Sequence, residues 1–340
     1  MKITDEDTLD DVMSAPPPPV IELMRALSGD IIILGIAGKM GVQLGMMALR
    51  ASRDAGVKRR IIGVSRFSDV HAREKLERSG IETIPCDLID SDAVAKLPKS
   101  ENVVFMAGKK FGTGDDPSVT WVMNTVAPAL AAAHYAKSRI VAYSTGCVYD
   151  FMTPASGGSR EEDEPRPVGD YAQSALGRER VFSYYSRTNG TPTCIVRLNY
   201  AVDLRYGVLC DIASKVHAGE AVDCTTGFVN IIWQGDAIAH SLLCFGQCAS
   251  PPRVMNVTGP ETLSVRDLAN EFAKRFERPA VFSGTESPTA YLNNATRSHR
   301  LFGKPATPVA TMIDWTAQWI SAGGRSLGKP THFETKNGRY

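Results

Sequence analysis

The sequence lacks any apolar run close to the roughly 20 residues that a membrane-spanning helix requires, so no transmembrane segment is expected. It also lacks an excess of charge. Lys and Arg total 38 against 37 for Asp and Glu, a net charge of +1, which gives no electrostatic basis for binding nucleic acid or a membrane surface. Paired cysteines are missing too. Cys86, Cys147, Cys194, Cys210, Cys224, Cys244 and Cys248 are odd in number, scattered and free of any Cys-x-x-Cys spacing. That pattern argues against a disulfide framework or a zinc site and for reduced thiols in a cytoplasmic protein. The six histidines are dispersed, so no metal site is expected, and no Gly-x-Ser-x-Gly elbow marks a hydrolase. The acidic start (Asp5, Glu6, Asp7, Asp10, Asp11) is the opposite of a signal or transit peptide.

What is present begins at Ile31–Leu34, four apolar residues that run directly into Gly35, Gly38 and Gly41. This reads as a buried strand, a glycine turn and a helix. The first glycine permits a tight turn, the second lets backbone approach a pyrophosphate, and the third lets helix pack on strand. The reading is a dinucleotide site, with Lys39 and Met40 inside the same turn. An ordinary strand-to-helix turn is the alternative, and the following elements must decide.

Arg60–Arg66 has the form of a second strand. An acidic residue at its end would hydrogen-bond an adenosine ribose, but the end reads Ser65-Arg66. A hydroxyl and a guanidinium suit a 2′-phosphate, so NADP is expected with NAD as the alternative. As a plain loop residue, Arg66 would be a solvated charge. A helix over 70–79, a strand over 82–86, a strand from Asn102 ending at Ala107-Gly108, a long helix opened by Asp116-Pro117 and a strand over 139–145 follow in turn. Strands alternating with helices at this spacing predict a doubly wound α/β parallel sheet with its ligands at the carboxyl ends of the strands.

At 340 residues the chain can form one large domain with a smaller companion. Residues 1–28 end in an amphipathic piece, Val20 to Leu27, and read as an N-terminal arm lying on the domain or as a disordered tail, with Pro16–Pro19 held extended and outside any helix interior. Residues 29–200 read as the Rossmann-type dinucleotide-binding domain. Residues 201–340 read as mainly a smaller, mixed substrate lobe, with late strands returning to the sheet.

Gly35-x-x-Gly38-x-x-Gly41, Asp87-Leu88, Phe105-Met-Ala-Gly108, Asn124, Ser144-Thr145-Gly-Cys-Val-Tyr149, Tyr171-Ala-Gln-Ser174 and Arg197-Leu-Asn199 occur in this order over roughly residues 30–260. The chain resembles the extended short-chain dehydrogenase/reductase superfamily, specifically its NAD-dependent epimerase/dehydratase type. The resemblance implies adenine contact at Asp87-Leu88 and cofactor contact at Ala107, Gly108 and Lys110. It implies a catalytic hydroxyl at Thr145 and a catalytic Tyr171. It also implies substrate contact near Asn199 and Arg205, and a homodimer formed by the helices over 118–136 and 171–186.

The resembled enzymes carry a lysine four residues after the tyrosine, where this chain has Ala175. A phenol with a pKa of about 10 is a weak base near neutrality, and a nearby cation lowers that value by roughly 1 to 3 units. Lys109, Lys110 and Arg178 are the candidate replacements. Thr145 is expected to orient a substrate hydroxyl, Tyr171 to exchange its proton, and the dinucleotide to exchange the hydride on carbon. Tyr171 as a mere packed aromatic is the alternative, and with it a catalytically silent dinucleotide-binding redox sensor. Asn199 is either a substrate contact or a turn residue, because it follows Arg197 by two positions where the family has three. Arg205 either clamps an anionic group or is a surface charge. The leading expectation is a nicotinamide-dependent oxidoreductase or epimerase acting on a small molecule: a sugar, sugar acid or related polyhydroxy compound. Trp315 and Trp319, four residues apart, read as core, and His332 reads as a tail residue or a proton-transfer group on a tail folded over the cleft.

Overall fold

The computed structural model describes residues 2–110 and 116–338. Its centre is a sheet of seven strands: β1 (Ile31–Leu34), β2 (Ile61–Ser65), β3 (Glu82–Pro85), β4 (Asn102–Phe105), β5 (Arg139–Thr145), β6 (Thr193–Leu198) and β7 (Arg253–Val257). They lie in the order 7-6-5-4-1-2-3, and every pairing is parallel. A parallel sheet covered on both faces needs apolar residues on both sides of its strands. That requirement explains the unbroken Ile31-Ile32-Ile33-Leu34 of β1, in which every residue is buried. Alternation along the strand then divides them: Ile31 and Ile33 join one core, Ile32 and Leu34 the other. Strand order reverses between β1 and β4, and a crevice opens at the carboxyl ends there.

Residues 2–28 lie on the domain, and the departure from expectation is confined to Pro18 and Pro19, which are helical. The arm is helical and built into the core. Helix α1 (Glu6–Met13) is capped by the Asp5 carboxylate, which accepts from the Thr8 N–H at 2.7 Å. Helix α2 (Pro18–Ala26) starts with Pro18 and Pro19, where a missing N–H costs nothing. So the proline run ends by opening a helix instead of holding an extended arm. The two helices serve different cores. Val20 and Met24 of α2 pack on the sheet with α3 (Gly41–Asp54), whereas Leu9 and Met13 of α1 join the second lobe. That lobe gathers the helices Val208–Ala218, Val265–Phe276 and Val309–Ser321 around Phe272, Met312 and Trp319. Trp319 is buried as expected, and Trp315 sits half-buried, edge-on to Trp233 at 5.3 Å.

The expected long helix after Asp116 covers residues 117–134, with a π-helical turn at Val122–Val126. Helix Gly169–Asn189 packs against it. The C-terminal segment returns to the crevice: the Thr331 N–H donates to Asp211 at 2.8 Å, Phe333 is buried in the second lobe, and Lys336 donates to the Thr289 carbonyl. A Cβ on Gly169 would stand 2.5 Å from the Gly338 carbonyl oxygen, so Gly338 lies against the start of the helix that carries Tyr171. Among the described residues no helix is long and apolar enough to cross a membrane.

Candidate active site

The glycine turn is built for close approach. Gly35 has φ +94°, and a Cβ there would fall 2.6 Å from the Ala107 nitrogen. At Gly41 a Cβ would stand 2.2 Å from the Ile36 carbonyl oxygen, so only glycine lets α3 start directly under the strand end. Gly38 differs from both, since a Cβ there would meet only the Gly35 carbonyl, at 3.3 Å. Its face looks into a cavity of about 240 Å³ that also receives Ser65, Arg66, Asp87, Leu88, Ala107 and Gly108. These residues, with Gly35, were expected to hold the dinucleotide's adenosine half or its turn, and they meet here at the ends of β1, β2, β3 and β4. The Asp87 carboxylate accepts from the Ile89 N–H at 3.3 Å, and that of Asp69 caps the helix over 70–79 through the His71 N–H. A cradle of glycines at a strand-to-helix turn, opening on a polar cavity, fits a dinucleotide.

A neighbouring cavity of about 180 Å³ lies at the ends of β5 and β6. Thr145, Cys147, Tyr171, Asn199, Lys39 and Lys110 all face it. The Cys147 N–H donates to Thr145 Oγ1 at 3.2 Å, which leaves the hydroxyl proton of Thr145 available for donation. The Thr145 hydroxyl and the Tyr171 phenol share a hydrogen bond. Burial pushes the Tyr171 phenol up to about 12, and the neighbouring Cys147 thiol adds to that; the Thr145 hydrogen bond and the Arg178 guanidinium pull the other way without overcoming it. Tyr200, also on this cavity, is held at φ +39°, a left-handed conformation that a bulky residue adopts only where its surroundings impose it.

Two lysines enter the same space. The Lys39 ammonium stands 3.2 Å from the Tyr206 ring centroid, and burial, with the Lys110 charge second, pushes it down to about 7. Lys110, whose value burial also lowers, donates to the Thr331 carbonyl at 3.2 Å, and its ammonium is 5.9 Å from the Tyr171 ring centroid. Lys39 and Met40, expected to contact the cofactor, thus line the cavity of Tyr171 and Thr145.

Arg205 is corrected. Its guanidinium is buried and bonded to Asp203 at 3.0 Å, Asp10 at 3.2 Å and Glu6 at 3.0 Å, so it fastens α1 to the second lobe instead of meeting a ligand. Asn199 faces the cavity, yet its amide donates to the Tyr291 carbonyl at 3.2 Å. The sequence reading missed Tyr206, Gln234 and Thr331, which complete the walls. Tyr206 and Gln234 carry no motif, and Thr331 arrives from a tail with no recognisable pattern. His332, at φ +54°, lies beside Glu334 at 3.9 Å.

Residues 31–220 match the NAD dependent epimerase/dehydratase family. The chain belongs to that family. Membership makes it an enzyme of the epimerase/dehydratase class that uses a nicotinamide dinucleotide. A UDP-glucose 4-epimerase of Thermus thermophilus, solved with NAD, is similar at 17% identity and a TM-score of 0.71, covering 86% of this chain and 99% of that one. A UDP-glucuronic acid 4-epimerase of Bacillus cereus, solved with NAD, gives 16% identity and a TM-score of 0.72 over 86% and 98% of the two chains. A dTDP-glucose 4,6-dehydratase of Bacillus anthracis, also with NAD, gives 14% and 0.73 over 86% and 96%. At such identities the likeness is one of fold. No curated protein matches the chain.

Proposed function

We propose that this family member oxidises or epimerises a sugar, sugar acid or related polyhydroxy compound at Thr145 and Tyr171. The observation that carries the reading is the hydrogen-bonded pair of Thr145 and Tyr171 facing a cavity beside the glycine turn. The dinucleotide supplies the hydride acceptor and donor when bound. Thr145 donates to the substrate oxygen and fixes the hydroxyl; as its carbon gives up hydrogen with the bonding pair, the hydroxyl proton passes to the Tyr171 phenolate oxygen and a carbonyl remains. Lys39 and Lys110 on one wall favour an acid over a neutral sugar, because a carboxylate relieves their mutual repulsion. The small volume favours a compact substrate.

The test is a panel of sugar acids and matching neutral polyols, followed by cofactor absorbance. Acids are expected to turn over with the lower KM, and Lys39→Met should raise that KM about tenfold, a loss of roughly 1.4 kcal/mol, while leaving the polyols unchanged. Lys39 is cationic below its value of about 7 and loses its charge above it, so the KM for acids should climb as pH rises through neutrality. Equal KM values for acids and polyols would refute the acid preference, and turnover of neither would refute the activity.

The preference for NADP rests on Arg66 with Ser65 at the end of β2, on the wall shared with Asp87. Arg66→Ala is expected to weaken NADP binding at least tenfold and NAD binding little, measured by titration calorimetry; an equal effect on both would remove the assignment. A homodimer is proposed through the helix over 117–134, where Val119, Trp121, Val122 and Val126 are exposed on one helix. Sedimentation at micromolar concentration should give twice the chain mass, and the monomer mass alone would exclude it.

A further inference from the structure

We infer that Arg178 supplies the cation that readies Tyr171 for proton exchange, from a position one turn beyond the place where the resembled enzymes carry a lysine. The inference rests on the role proposed above for Tyr171.

Tyr171 and Arg178 are seven residues apart on the helix Gly169–Asn189, on one face. Helical side chains lean toward the N-terminus, so that of Arg178 reaches back along the turn occupied by Ala175. Ala175 has no room for a long side chain of its own: it is 1% exposed and packed among Val148, Tyr149 and Leu176. The guanidinium of Arg178 is buried at the crevice floor, where a Cβ on Gly108 would stand 2.3 Å from its Nη2. Gly108 in turn borders the cavity of the glycine turn, so the Arg178 guanidinium lies against a residue of that cavity's wall.

Its partners are neutral. Nη1 donates to the Tyr143 carbonyl at 2.9 Å and Nη2 to Asn124 Oδ1 at 2.5 Å, while Nε is buried with no hydrogen-bond partner. Among the described residues no carboxylate lies within ion-pairing distance of it. Glu179, the next residue, is committed to Arg197 at 2.7 Å. A buried guanidinium without a carboxylate is costly, and a purely structural role would be met more cheaply by a neutral donor. The Tyr171 phenol and, second to it, the Glu179 carboxylate favour the charge on Arg178, and with the phenol the attraction is mutual: each stabilises the charged form of the other. Asn124 fixes the geometry. Its Oδ1 also accepts from the Lys109 N–H at 3.0 Å, and its amide donates to Ser174 Oγ at 2.9 Å, which ties the π-helical turn, the loop after β4 and the Tyr171 helix to one point. An arginine keeps its proton, so its part is a fixed field, and it acts through Tyr171 as a positioning residue.

The other groups facing Tyr171 are Cys147 from the turn after β5, Lys39 from the glycine turn, Lys110 from the loop after β4, and Tyr206 from the second lobe. Lys39 and Lys110 are the rival cations, so the experiment must separate them from Arg178. A fluorinated tyrosine at position 171, whose phenol ionises nearer neutrality than that of tyrosine, reports its own ionisation by fluorine NMR without any substrate. Arg178→Gln is expected to raise the ionisation midpoint by about one unit or more, a tenfold loss of phenolate at a given pH, and Arg178→Lys should restore most of it. Lys110→Met and Lys39→Met should each move it less. If Arg178→Gln does not fold, Asn124→Asp places a carboxylate against the guanidinium and should raise the midpoint in the same direction. An unmoved midpoint in Arg178→Gln, or in Asn124→Asp where that variant carries the test, overturns the inference, as does a larger shift from Lys110→Met or Lys39→Met. If no substrate in the panel turns over but the midpoint moves, the field of Arg178 stands and the proposed reaction falls.

Discussion

Tyr171→Phe is expected to lower turnover by about 10²–10⁴-fold, the range of a positioned proton-transfer group, while dinucleotide binding is unchanged. The change removes one oxygen from a residue whose ring stays packed with Ala172 and Tyr291, so stability should hold and the loss should fall on the chemical step. The pH profile gives a second reading. With burial holding the phenol up at about 12, the phenolate fraction grows about tenfold for each pH unit through the neutral range. Oxidation of an alcohol needs the phenolate, so its kcat/KM should rise with pH in the native enzyme and lose that slope in Tyr171→Phe. Thr145→Val should cost less, because it removes an orienting donor and leaves the proton acceptor in place. Turnover by Tyr171→Phe within a factor of two or so of the native rate would end the assignment.

The sheet was readable because parallel strands and their helices obey strong local rules. The run Ile31–Leu34, the Gly35-Gly38-Gly41 spacing and the strand over 139–145 are each fixed by burial on two faces or by a backbone approach that only glycine allows. The helix over 70–79 is an equally local signal. Where the sequence misled, the deciding contact was distant. Pro18 and Pro19 are compatible with extended chain or with a helix start, and the burial of Val20 and Met24 against α3 selects the helix. The direction of Lys39 was not legible in its phosphate-type turn, because it is set by Tyr206, far along the chain. Arg178 was visible as a residue two turns from Tyr171; that its neighbours are a carbonyl and an amide instead of a carboxylate was not.

Arg205 is the clearest case of a distant contact deciding a role, and it carries the largest expected effect on stability. Arg205→Met should destabilise the fold by roughly 3–5 kcal/mol, the range for breaking a buried ion pair from one side. The guanidinium and the carboxylates of Asp203 and Asp10 are all nearly inaccessible. Burial alone would push the guanidinium down, but the charges of Asp203 and Asp10 outweigh it and hold the guanidinium above its ordinary value. Methionine fills much of the volume, so the loss isolates the charge. Asp10 would keep Gln43 at 2.8 Å and Lys75, whereas Asp203 would lose its bonds from the Arg205 side chain. Asp203 should therefore be the more costly orphan, and adding Asp203→Asn to Arg205→Met should recover part of the loss in a urea titration. Because Glu6 and Asp10 place α1 on this guanidinium, Arg205→Met should also speed proteolytic cleavage within residues 2–28. A change below about 1 kcal/mol with the arm still protected would mean that apolar burial of Leu9 and Met13 holds α1 without the charge cluster.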